Sequence, residues 1–138
     1  MRAIVVFSLI LIVVPALADT PTPNALICEI ASGTEAAVRE TEHQPVEPKA
    51  MSFVIAAIDY AQGTAQLIGA AGAVPLALIK GNSSVSFVEV TNYGNVTLTT
   101  VFPDPNSKTE FSVVHSRHMA GFAGAVVSQW LGHCQGRW

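Results

Sequence analysis

From Met51 to the last residue, short apolar runs alternate with clusters of turn residues at intervals near ten. That rhythm leaves room for strands and little room for helices. It predicts an all-β fold, a small antiparallel meander, barrel or sandwich of about 7–8 strands.

Residues 51–59 carry apolar side chains on both faces, with Phe53, Ile55 and Ala57 against Val54, Ala56 and Ile58. Turns at Ala61-Gln62-Gly63 and at 70–73 bound the next strand, 64–69. Pro75 in the run 74–80 has no N–H to give a ladder, which argues for an edge or a strand start. Over 84–91, Val85 and Phe87 point inward. Val88 and Val90 then flank Glu89, so the phase slips and a bulge near Val88 is expected. Residues 96–102 alternate most cleanly, and Phe111, Val113 and His115 share one face of the strand after them. Residues 120–131 have the alanines of a helix, but Gly121, Gly124, Gly132 and the pair Val126-Val127 favour a strand. No internal repeat is evident.

The N-terminal half reads differently. Arg2, an uncharged apolar run to Val14, and the small-residue site Ala16-Leu17-Ala18 form a secretory signal in the expected order. The run is too short to span a bilayer as a helix. Cleavage after Ala18 leaves 19–138 as a single β domain with no membrane span. Its first strand is expected at 26–30. The polar stretch 33–50 is expected as a loop, or as a short helix capped by Thr34.

Cys28 and Cys134 are the only cysteines and lie near the two ends of that domain. In an oxidising compartment two such thiols pair. A loop of roughly 100 residues closed this way contributes up to about 4–5 kcal/mol on the chain-entropy model. The chain as a whole is acidic, with 10 Asp and Glu against 7 Lys and Arg. Four of the acids fall within 35–47. No basic patch exists to meet phosphates, so nucleic acid is not an expected partner.

The only dense polar constellation is His115-Ser116-Arg117-His118. In a strand, His115 and Arg117 share one face and Ser116 and His118 the other. A serine nucleophile with a histidine base is conceivable with Asp59 or Glu89 as the orienting acid, but only the serine and histidine are neighbours in sequence, and Ser116 lies in no strained elbow. Two histidines without a third ligand nearby do not make a metal site. The cluster is therefore expected to fasten a strand end, with Arg117 bonding loop carbonyls or Glu89. Glu89 is expected to face solvent, or else to pair with Arg117 inside a barrel mouth. Asn82-Ser83-Ser84 and Asn95-Val96-Thr97 match the glycosylation sequon, which matters only in a eukaryotic secretory pathway.

The segments 86–91 (Ser-Phe-Val-Glu-Val-Thr), 115–118 and 128–134 (Ser-Gln-Trp-Leu-Gly-His-Cys) resemble small uncharacterised exported proteins of proteobacteria. The likeness covers the second half of the domain and implies a periplasmic or secreted bacterial protein, with no activity attached. The expected architecture is also similar to the small periplasmic barrels that inhibit lysozyme, which carry cysteines near both ends. Their Ser-Gly-x-x-Tyr loop does not occur here.

The reading that follows is a non-enzymatic exported domain that binds a partner protein or a small apolar ligand, with no catalytic residue, metal or cofactor. The candidate cluster is Glu89, His115, Ser116, Arg117 and His118. The alternatives are a small hydrolase or metal-dependent enzyme using His115 to His118, and a structural envelope component.

Overall fold

The computed structural model describes residues 21–37, 44–46, 49–70, 72–121 and 124–138. Residues 1–18, expected as a secretory signal, lie outside them. Nine strands follow in chain order: β1 (Ala25–Ala37), β2 (Gln44–Val46), β3 (Met51–Asp59), β4 (Thr64–Gly69), β5 (Gly72–Lys80), β6 (Val85–Val90), β7 (Val96–Pro103), β8 (Glu110–Gly121) and β9 (Gly124–Arg137). There is no helix among the described residues. All neighbours pair antiparallel, and β1 also pairs with β9. Eight strands thus close into a barrel, while β2 lies outside it along the far end of β1. Closure removes the open edges that a meander of this length would otherwise present.

The seam is long. Twelve residues of β1, from Ala25 to Ala37, pair with β9, interrupted once by an irregularity at Ala31. Cys28 and Cys134 are Cα partners within it, both fully buried and joined by a disulfide with α-carbons 4.0 Å apart. The disulfide is consistent with an oxidising compartment. Two rows on, Ile30 faces Gly132, where an added Cβ would land directly on the Glu29 carbonyl oxygen. Only glycine lets the two backbones approach so closely.

The interior is filled by side chains. Leu26, Ile55, Phe87, Val101 and Val113 are all nearly inaccessible and form one cluster with Ile30, Phe53, Leu76, Leu78 and Phe111. An eight-stranded barrel is just wide enough for such filling. The alternation read from the sequence places Val85 and Phe87 of β6 and Phe111 and Val113 of β8 correctly. On β7 the inward face is Thr97, Thr99 and Val101, and the more apolar face with Leu98 and Phe102 is outward.

Three expectations need correction. The stretch 33–50 is not a loop or helix where it is described: β1 runs on to Ala37, and β2 occupies Gln44–Val46. Its polar residues pair because β9 supplies a continuous template, Gly33 to Trp130 and Glu35 to Ser128. There is no bulge near Val88, since β6 pairs with β7 without a break from Val85 to Val90. Val88 and Val90 face outward, and Val90 is 66 % exposed. The irregularity in this half of the chain lies in β3, after Ala56, where Ala57 takes the left-handed conformation (φ 49°) and returns Ile58 to the core. Pro75 does not mark a sheet edge. It sits inside β5, opposite Gln66 and just before pairing with β6 begins at Ala77.

Two hairpins share a tip that no repeat search by length would find. Gly69 pairs with Gly72 and Gly121 with Gly124, in the sequences Gly-Ala-Ala-Gly-Ala-Val and Gly-Phe-Ala-Gly-Ala-Val. The second glycine of each has positive φ, a conformation that glycine adopts without a Cβ clash.

Candidate functional site

β8 carries the predicted cluster, and its pleat divides it. Phe111, Val113, His115 and Arg117 point into the barrel, while Ser116 lies on the opposite face with the exposed His118. His115 is buried at 5 % exposure, bonded through Nδ1 to the Thr99 hydroxyl at 2.9 Å, with its ring 5.4 Å from that of Phe53. Burial, and then the positive charge of Arg117, lower its pKa to about 4. The imidazole is therefore neutral at physiological pH. Ser116 and His115 face opposite ways, so these two do not pair as nucleophile and base. Among the described residues no three His, Cys, Asp or Glu side chains converge as a metal site would need.

Glu89 is on the inward face, not facing solvent across a bulge. It is the Cα partner of Thr97, which is in turn the partner of Arg117, so the two charges flank one buried threonine. They form no ion pair, and Arg117 makes no hydrogen bond with any described residue. The strand end is held by pairing to β7 and β9 on its two sides, not by the guanidinium. At this end the barrel's inner face turns from apolar to polar, over Thr97, Thr99, His115 and Ser128. The indole nitrogen of Trp130 is buried there without an acceptor among the described residues.

A concavity lies at the other end, the one nearer the disulfide, beside Pro21 and Trp138. It is an open groove of about 990 Å³ between the β5–β6 turn, the loop after β7 and Trp138. Its walls are fastened by the backbone: Gly136 N–H donates to Thr109 C=O at 2.8 Å, and Asn24 N–H to Arg137 C=O at 2.7 Å. The loop is stiffened from within. Asp104 Oδ1 accepts from Asn106 N–H at 2.7 Å, and Ser107 Oγ accepts from the N–H groups of Thr109 and Glu110, each at 3.2 Å. Trp138 is 60 % exposed on the rim. A smaller cavity of about 560 Å³ lies on the outer wall between Glu29, Glu110, His133 and Arg137.

Sequence reasoning missed this groove because its parts are scattered: Pro21, Asn82, 103–109 and Trp138. The available signal was an exposed-type loop rich in Pro, Asn and Ser in a chain that also ends on a large aromatic. No protein-family model matches this chain, and no curated protein or solved structure matches it either.

Proposed function

We propose that the protein is an exported, non-enzymatic binding domain that takes its ligand in the groove at the disulfide end. The observation that carries this reading is the contrast between the two candidate places. The barrel interior is packed with its own side chains, whereas the groove is an open, stiffened concavity of about 990 Å³, within the size range of small-molecule sites. Export is supported by the charge, apolar run and small-residue site at the N-terminus, and by the disulfide. The enzyme reading loses its best support once Ser116 and His115 face apart and His115 is a poor base.

A thermal-denaturation screen against a chemically varied set of small molecules tests the reading. Compounds that raise the Tm of the native protein should lose that effect in Trp138→Ala. Stabilisation that survives Trp138→Ala and is lost in Arg117→Ala would move the site to the polar end of the barrel.

A further inference from the structure

We infer that the groove is a saccharide site, with the Trp138 indole as the platform for one face of a sugar ring. The inference rests on the groove being the ligand site and adds the class of ligand. Trp138 is exposed, with one edge of its ring lying against Gly136. A Cβ placed on Gly136 would sit 3.0 Å from Trp138 Cη2, 3.0 Å from Phe111 Cε2 and 3.2 Å from Pro23 Cβ. The missing side chain at 136 lets the edge of the indole seat against the end of the barrel, beside residues of the core. What remains is an exposed aromatic surface bordering the groove, on which a ligand can stack.

The rest of the groove selects among ligands. Pro103 and Pro105 add apolar C–H surface, while Asn82, Ser83, Asn106 and Thr109 bring amides and hydroxyls. The lining carries one acid, Asp104, and one base, Lys108. An anionic ligand meets Asp104 and a cationic one meets Lys108, so net charge is not rewarded. A purely aliphatic ligand covers this polar wall without offering it a hydrogen bond in place of water. A pyranose ring has an apolar C–H face and a rim of hydroxyls that donate and accept. It satisfies the indole and the polar wall together, and the self-bonded loop over 104–109 is already in shape to receive it.

The test uses the full mature protein labelled with nitrogen-15. Its two indole N–H signals are assigned by their loss in Trp138→Ala and titrated with chitotriose, maltotriose and cellotriose, with hexanol as an aliphatic probe. At least one trisaccharide should shift the Trp138 indole and the 104–109 amides saturably and leave the Trp130 indole in place. Affinity read from those amides should fall about tenfold or more in Trp138→Ala, with partial recovery in Trp138→Phe. No saturable shift with any trisaccharide, or binding unchanged in Trp138→Ala, overturns the inference. Hexanol binding at the groove without competition from the sugars also overturns it, while leaving the groove as the ligand site.

Discussion

Cys28 and Cys134 face each other across the seam where the first and last barrel strands meet, their α-carbons 4.0 Å apart. The bond therefore fastens the one pairing in the barrel that joins the two ends of the chain. β1–β9 pairing must be made across nearly the whole domain, so its loop-closure entropy is the largest in the fold. Replacing both cysteines by alanine is expected to lower stability by about 2–5 kcal/mol. Urea denaturation of the variant beside the oxidised protein measures this. An unchanged midpoint would mean that the seam does not depend on the bond.

The same seam depends on Gly132. Gly132→Ala drives a methyl group into the Glu29 carbonyl and must separate β1 from β9. A loss of about 3 kcal/mol or more is expected. Gly69→Ala meets nothing within 4 Å and needs no left-handed backbone, so it should stay within about 0.5 kcal/mol of the parent. Chemical denaturation of the pair checks the contrast; equal effects would contradict the close approach.

How much of this was legible in the sequence depends on who each residue's partner is. In Val96 to Phe102 the period of two could be read alone, but not which face is inward: Thr97, Thr99 and Val101 are buried, while Leu98 and Phe102 are exposed. The disulfide could be read because two cysteines allow one pairing. Glu89 could not. Val88 and Val90 are apolar and face outward, so apolarity pointed to the wrong side. The tail of β1 was hidden for a related reason: Gly33, Thr34 and Glu35 have no strand signature of their own and are ordered by β9 and β2. The groove has no local pattern at all, since the barrel's closure brings its four segments together.

His115 links stability to pH. Its folded pKa of about 4 lies below the unfolded value near 6.5. Between those values the unfolded chain binds the proton more readily. The contribution is therefore complete above pH 6.5, falls as pH drops toward 4, and amounts to about 3 kcal/mol at most. Urea midpoints across this range should decline with falling pH, and His115→Leu should flatten the decline. A His115 imidazole that titrates near 6.5 by NMR would refute the buried, neutral form.

Thr99 and Arg117 act on that histidine in opposite ways. Thr99→Val removes the hydroxyl bonded to Nδ1 and leaves a buried polar nitrogen without its partner, for an expected loss of about 1–3 kcal/mol. Arg117→Ala removes a charge that disfavours the imidazolium and breaks no hydrogen bond to a described residue. Its stability should change by less than about 1 kcal/mol, and the His115 pKa should rise. A large destabilisation by Arg117→Ala would show that the guanidinium fastens the strand end after all.

The claim that the barrel is packed shut and that ligands meet the protein at the disulfide end is tested most directly by crystals soaked in a library of small fragments. Bound fragments should gather in the groove between Asn82, the 103–109 loop and Trp138. Fragments found inside the barrel between Phe87, Val113 and His115, with the groove empty, would contradict it.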